Sequence, residues 1–199
     1  MWLDPYILGL WLADKYWWGS SVGISNTDER LILRFSKWLL QYYPPERLRL
    51  KIYVSHSEKF VSTEIMKIVP RENIKTYLHK KLSSIQYVLY VNSRPLKRLF
   101  DNVSGNIFKY LANDEDIIDY LAGRVDGDGS IDIHKLRLRI AYSNFYEVLT
   151  DARLLEKIGI TPKIKYYTTA REYILEICCK EYREIIQLLA RKTIRFNTF

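Results

Sequence analysis

The 199-residue sequence predicts an α+β protein made of two related halves, each running α-β-β-α-β-β-α. Three observations carry this. Four short segments recur in the same order along the chain, the mark of an internal duplication. Each half opens on an apolar helix that ends in an aspartate. Between helices the sequence alternates polar and apolar residues at the two-residue period of a half-buried strand.

Ile7–Lys15 (ILGLWLADK) corresponds to Leu121–Gly129 (LAGRVDGDG), with Asp14 on Asp128 at an offset of 114. Ser25-Asn26 matches Ser143-Asn144 at 118, Leu50–Tyr53 (LKIY) matches Ile164–Tyr167 (IKYY) at 114, and Tyr87–Val91 (YVLYV) matches Tyr173–Ile177 (YILEI) at 86. The second half therefore has four extra residues between motif and Asn, and the first has 28 that the second lacks, at about residues 55–84.

In chain order, the first motif helix is followed by Gly19-Ser20 and strand-like alternation. A helix over Asp28–Tyr43, with Leu31, Leu33, Phe35, Trp38 and Leu39 apolar, is broken by Pro44-Pro45. The insert predicts a helix near Ser62–Ile68, a break at Pro70 and a basic segment, Ile74–Lys81. A helix over Pro95–Val103 closes the half. Residues 1–104 form this half, 105–113 a linker, and 114–199 the second half, whose motif helix starts on the acids Asp114–Asp116. There Gly129-Ser130 repeats Gly19-Ser20, a helix runs over Tyr146–Ile158 up to Gly159 and Pro162, and Tyr182–Lys192 closes the chain.

Composition bounds the function. Lys plus Arg number 31 against 23 Asp plus Glu, a net charge of +8, with 48% hydrophobic residues. That is a folded chain suited to a polyanionic partner. Apolar runs break early, as at Asp14, so no membrane span or membrane partner is expected, and the start MWLDPY lacks the basic region of a signal peptide. Cys178 and Cys179 are neighbours in a strand-like run and point to opposite faces, which suits unpaired thiols in a reducing cytoplasm.

The motif helices carry the chemistry. Gly9 and Ala13, and Gly123 and Gly127, each form a strip of small residues one turn apart, which lets two helices approach backbone to backbone. Packed side by side, they would bring Asp14 and Asp128 together at two helix C-termini, where each carboxylate faces a negative dipole end and the other acid. A divalent cation removes both penalties. Oxygen ligation by few protein groups suits Mg²⁺, with Mn²⁺ as a substitute, and substrate phosphate completing the shell. A calcium loop starting at Asp126 fails, because its sixth position is Ile131 and its twelfth Arg137. His56, His79, His134 and the adjacent cysteines lack zinc spacing.

LAGRVDGDG at 121–129 resembles the LAGLIDADG signature at six of nine positions, and ILGLWLADK at 7–15 resembles it at four of nine. The chain is similar over nearly its whole length to the monomeric, two-motif homing endonucleases of archaeal ribosomal RNA introns. The resemblance implies pseudo-twofold αββαββα halves with the motif helices packed at the centre and two saddle-shaped antiparallel sheets facing duplex DNA. It also implies Asp14 and Asp128 as metal-binding catalytic acids, aided by the carbonyls of Ala13 and Gly127. Asn26 and Asn144 fall where the family places a polar residue that positions water. Lys51 and Lys165 are candidates for its catalytic lysine. Three positions depart from the motif: Leu12 for an Asp that usually serves structure, Lys15 for the final Gly, and Arg124 for an apolar interface residue.

Strand parity gives a basic face in both halves. Arg47, Arg49, Lys51 and Tyr53 share one, opposite Leu48, Leu50, Ile52 and Val54. Lys135, Arg137 and Arg139 share another, continued by Lys163, Lys165 and Tyr167, with His134 at the hairpin tip. These faces hardly mix signs and suit a ribbon in the major groove. Trp2, Trp11, Trp17, Trp18 and Trp38 are expected to cluster around the first motif helix as core. The expected activity is site-specific, metal-dependent cleavage of a long asymmetric duplex by a monomer, promoting intron mobility, in the cytoplasm at the nucleoid. Binding of intron RNA as a maturase, or silent DNA binding, are the alternatives.

Overall fold

The structure, a computed structural model, describes residues 1–55, 63–80, 82–178 and 182–196. It is α+β and divides into two compact units: residues 1–3 with 14–102, and residues 4–13 with 103–199. Most of the first helix, residues 4–13, belongs to the second unit.

In the first unit, five strands pair in the order β1-β2-β5-β3-β4: β1 Lys15–Tyr16, β2 Ser21–Asn26, β3 Leu48–Val54, β4 Ile74–Leu78 and β5 Gln86–Asn92. Helix α2 (Glu29–Leu39) packs on β2 and β5. Asp28 caps it by accepting the Arg30 N–H at 3.0 Å, and Leu31, Ile32, Phe35, Trp38 and Leu39 turn inward. The buried residues of β3 are Leu48, Leu50, Ile52 and Val54, so Arg49, Lys51 and Tyr53 lie on the open face, as the alternation predicts. Arg47 does not join them. Pro45 starts a 3₁₀ turn over Pro45–Arg47, and the strand begins one residue later. Helix α4 (Arg94–Gly105) follows β5.

The insert changes the first half. Helix α3 (Ile65–Ile68) is shorter than expected and is tied to α2 by the Ile65 N–H donating to Glu29 Oε1 at 2.8 Å. The basic segment becomes β4, which pairs parallel to β3 and adds a fifth strand to an otherwise antiparallel sheet. Lys81 and the start of the expected helix lie outside the described residues.

The second unit has four strands in the order β6-β7-β9-β8: β6 Gly129–Asp132, β7 Arg137–Tyr142, β8 Lys163–Tyr167 and β9 Glu172–Cys178, all antiparallel. Its helices are α1 (Pro5–Asp14, all but its last residue), α5 (Ile107–Tyr110), α6 (Asp114–Asp128), α7 (Phe145–Lys157) and α8 (Arg183–Lys192). The expected linker thus holds a helical turn. Pro5 opens α1, with the Tyr6 N–H donating to Asp4 Oδ1 at 2.9 Å. Asn113 caps α6, accepting from the Asp116 N–H at 2.8 Å. Cys178 ends β9 exposed, and Cys179 lies outside the described residues. Among the described residues no helix is long and apolar enough to cross a membrane.

The tryptophans correct the sequence reading. Trp11 and Trp38 are buried, but Trp2, Trp17 and Trp18 are 60%, 54% and 79% exposed. With β1 only two residues long, the chain reverses through Gly19 at φ 59° and carries Trp17 and Trp18 outward. The ammonium groups of Lys97 and Lys15 lie 5.1 and 5.8 Å from the centre of the Trp17 ring. Trp18→Ala should therefore change unfolding free energy by less than about 0.5 kcal/mol, as for other surface substitutions; a urea melt checks it.

Candidate functional site

Helices α1 and α6 touch at their glycines. A Cβ on Gly9 would lie 1.9 Å from the Tyr120 carbonyl oxygen, and one on Gly123 would lie 2.0 Å from that of Tyr6. Only hydrogen fits at either position. Ala13 is half-buried one turn further along.

Asp14 ends α1, and its Oδ2 accepts from Asn26 Nδ2 at 2.6 Å. Asn26 is itself fixed, since its Oδ1 accepts the Asp28 N–H at 2.7 Å. Asp128 ends α6 with its carboxylate open to solvent and no hydrogen bond to it among the described residues. The mass of protein around it partly dehydrates it and raises its pKa, which Arg124 and Arg195 oppose and Glu147 and Glu172 reinforce. A carboxylate at the negative end of a helix dipole has the chemistry to accept a cation. The Gly127 carbonyl accepts from Arg195 Nη1 at 3.2 Å and keeps its second lone pair. Among the described residues no three His, Cys, Asp or Glu side chains cluster as a ready metal cage, so any ion here would rely on water and substrate oxygens.

Asn144 is placed elsewhere. Its side chain caps α7, accepting from the Tyr146 N–H at 2.8 Å. In strand register Asn26 lies opposite Tyr87, while Tyr142 lies opposite Tyr173. Tyr142 is thus the counterpart of Asn26, and Asn144 that of the cap Asp28. The Ser-Asn string is within β2 in one half and beyond β7 in the other, so the second half gains two residues before the strand ends, not four.

Lys51 and Lys165 occupy corresponding positions with different surroundings. The Lys51 ammonium donates to Tyr16 Oη at 2.9 Å and sits over the rings of Tyr16 and Tyr90. That hydrogen bond raises its pKa, so it is a fixed positive charge and not a base near neutral pH. Lys165 donates to Glu176 Oε1 at 2.6 Å.

On the open face of the first sheet, Arg49 and Lys51 are joined through the parallel register by Lys75, beside Lys51, and Tyr77, beside Tyr53. Tyr53 stacks on Tyr77 with ring centroids 5.2 Å apart, so one of its faces is taken. Arg47 and Arg49 donate to backbone carbonyls, Arg47 to Asn92 at 3.0 Å and Arg49 to Glu46 at 2.7 Å, which are neutral acceptors and leave the guanidinium charge in place. The second face does mix signs, against expectation. Arg137, Arg139, Lys163 and Lys165 share it with Asp132, Glu172 and Glu176, because the register of β6 and β9 puts those acids on the same side. His134 and Lys135 are exposed in the β6–β7 turn, and Tyr167 is 44% exposed.

Two departures from the motif are explained. Arg124 is buried with an acid partner on α7: its Nε donates to Asp151 at 3.0 Å and its Nη2 to Glu147 at 3.3 Å, with the Tyr142 ring 4.7 Å away. Lys15 can replace Gly in the first half, whereas a Cβ on Gly129 would lie 2.6 Å from Val125 Cα. The sixth motif position, Asp126, is fully buried and holds the segment after α8. It accepts from Tyr6 Oη and the Ile194 N–H, each at 2.6 Å, and from the Arg195 N–H at 2.9 Å. Leu12 has no such task.

Sequence reasoning missed Lys75, Tyr77, Tyr16, Glu176 and Arg195. The acids of β9 had a signal: EYILEIC puts Glu172 and Glu176 at the parity opposite Leu175 and Ile177.

No family model matches this sequence, and no curated protein matches it. Solved structures do resemble it. Mesophilic variants of the homing endonuclease I-DmoI superpose with a TM-score of 0.60 at 19% identity, over 94% of this chain and 93% of theirs. I-DmoI in complex with DNA and Mn gives 0.58 at 19% identity, over 91% of each chain. The N-terminal LAGLIDADG domain of DUF199/WhiA gives 0.57 at 13% identity, over 94% of this chain and 81% of that one. A fold shared by proteins of such different names does not by itself fix chemistry. The fold of this chain is the LAGLIDADG fold.

Proposed function

We propose that this protein is a divalent-metal-dependent, site-specific endonuclease for double-stranded DNA that acts as a monomer on a long asymmetric target and promotes intron mobility from the nucleoid. The observation that carries the reading is the aspartate at the C-terminal end of each motif helix, Asp14 and Asp128, where the chain turns into a sheet whose open face bears arginines and lysines. I-DmoI, solved with DNA and Mn and sharing the fold, supports it.

Asp14 and Asp128 would hold the ions, with the carbonyls of Ala13 and Gly127 in reach of the same helix ends. Bound Mg²⁺ or Mn²⁺ would supply Lewis-acid charge at the phosphate and lower the pKa of water. Asn26 orients the Asp14 carboxylate through the 2.6 Å bond to Oδ2. Lys51, held protonated by Tyr16, stabilises charge that develops on the phosphate as water attacks in line. The two faces differ: the first has five strands and no acid among its open-face residues, and the second has four strands and three acids. Unequal faces fit unequal half-sites.

The test is cleavage of a randomised duplex library with Mg²⁺, with EDTA and with Asp14→Asn and Asp128→Asn. Wild type should cut one long site, and either variant should lose cleavage by at least a thousandfold while binding within a few fold, as expected when transition-state stabilisation alone is removed. Retained cleavage in Asp128→Asn overturns the assignment. Enrichment by binding, with no metal-dependent cut in wild type, leaves a DNA-binding protein on this fold.

A further inference from the structure

Glu176 is an acid where the proposed function asks for cations. It sits in the middle of β9, on the open face, opposite Arg139 on β7 and Lys163 on β8. Its side chain is only 6% exposed, while Arg139 and Lys165, which cover it, are 38% and 44% exposed. Each carboxylate oxygen has one cation: Oε2 accepts from Arg139 Nε at 2.6 Å, and Oε1 from Lys165 Nζ at 2.6 Å. These two hydrogen bonds, first that of Lys165, hold the carboxyl below its usual pKa, so the group is ionised near neutral pH. The corresponding position in the first sheet is Tyr90, opposite Gly23 and Arg49, and no acid stands there.

The geometry of the contact decides what it can do. Glu176 takes the Nε–H of Arg139 and leaves both terminal nitrogens without a protein partner among the described residues. Those two nitrogens form the fork that reads O6 and N7 of guanine in the major groove. An unbuttressed arginine on a strand has about 2 kcal/mol of rotamer freedom to lose on binding and reaches many phosphates equally well. One anchored at Nε keeps its direction before DNA arrives and loses less. The same carboxylate cancels part of the charge of Arg139 and Lys165, which weakens sequence-independent attraction to phosphate.

We propose that Glu176 is a specificity-determining positioning residue: it aims Arg139 at one guanine of the second half-site and holds down non-specific affinity. The inference rests on duplex DNA being the ligand.

The experiment selects binders from a randomised duplex library in Ca²⁺, at two salt concentrations, with wild type, Glu176→Gln, Glu176→Ala and Arg139→Ala, each also melted thermally. Wild type should show one guanine in the second half-site preferred by roughly ten- to a hundredfold. Arg139→Ala should lose that preference. Glu176→Ala should lose most of it too, yet bind random duplex more tightly, with a salt dependence steeper by one to two charges. First-half preferences should not move in any variant. Should Glu176→Ala melt early, Glu176→Gln, which keeps the volume and an acceptor but not the charge, is expected to steepen the salt dependence at near wild-type melting temperature. An unchanged guanine preference in folded Glu176→Ala, or an unchanged salt dependence in Glu176→Gln, overturns the proposal and makes the acid a structural neutraliser. A wild type that enriches no duplex sequence overturns the DNA reading itself, and with it this one.

Discussion

Asp151→Ala is expected to lower unfolding free energy by about 3–5 kcal/mol, the cost of leaving a buried charge without its partner. Against a total of roughly 5–15 kcal/mol for a domain, that is a third or more of the stability. The reason is the convergence on one carboxylate. Arg124 Nε and Tyr142 Oη donate to Oδ2 at 3.0 and 2.7 Å, and Tyr120 Oη donates to Oδ1 at 2.7 Å. Asp151 and Arg124 are each 1% exposed. Burial disfavours ionisation of Asp151 and pushes its pKa up, and the guanidinium and the two hydroxyls pull it back. Deleting the carboxylate orphans two hydroxyls and leaves a buried guanidinium with Glu147 alone at 3.3 Å, its Nη1 already having no partner among the described residues.

Two controls give the prediction its content. Glu147 is half-buried and meets Arg124 at 3.3 Å, so Glu147→Ala should cost no more than about 1 kcal/mol. The combined variant Arg124→Leu, Asp151→Leu, Tyr120→Phe, Tyr142→Phe removes the buried ion pair and both hydroxyls bonded to it and should recover most of the loss, because well-packed apolar replacements of buried ion pairs are often neutral or stabilising. Urea melts of the single, control and combined variants measure all three. An Asp151→Ala cost below about 1.5 kcal/mol would mean that water reaches Arg124, and the network would not be what ties α6 to α7.

The parts of this molecule legible from sequence were those written in local periodicity. Alternation in LRLKIYV fixed which residues of β3 face inward, and the offsets of 114 and 86 reappear as register, Lys51 beside Val88 and Lys165 beside Ile174. What escaped depends on partners distant in the chain. Arg124 looks misplaced until Asp151, 27 residues on, supplies its charge. Glu176 lay in a segment recognised as a strand, but its effect on Arg139 exists only once β7 and β9 pair. The parallel docking of β4 follows from a crossover that no local pattern encodes. Hydrophobicity alone puts Trp17 and Trp18 in the core, whereas the Gly19 turn puts them outside. Matching letters pairs Asn144 with Asn26 where register counts differently, whereas the positions of Asp14 and Asp128 at their helix ends are legible because each closes a glycine-bearing apolar run.

Gly123→Ala and Gly9→Ala are each expected to cost about 3 kcal/mol, the upper range for forcing extra atoms into a packed interior. The added methyl at Gly9 would meet the Tyr120 carbonyl oxygen at 1.9 Å and carbon at 2.9 Å, and that at Gly123 would meet the Tyr6 oxygen at 2.0 Å and the Leu10 nitrogen at 2.7 Å. All of these are helix backbone atoms, which cannot swing aside like the end of a side chain. The helices must part by on the order of 1 Å, and close packing on either side makes that shift felt by every contact along them. One such contact is the 2.6 Å bond from Tyr6 to Asp126, which also anchors residues 194 and 195. The same methyl elsewhere should behave oppositely. Gly105, at the end of α4, has nothing within 4 Å of its Cβ position, so Gly105→Ala should be neutral or stabilising by up to about 1 kcal/mol through the unfolded chain. Thermal and urea melts of the three variants therefore isolate the helix contact from the generic effect of Gly→Ala. Losses below about 1 kcal/mol at both Gly9 and Gly123 would mean that the helices are not held at backbone distance, and the placement of the two acids at their ends would have to be argued on other grounds.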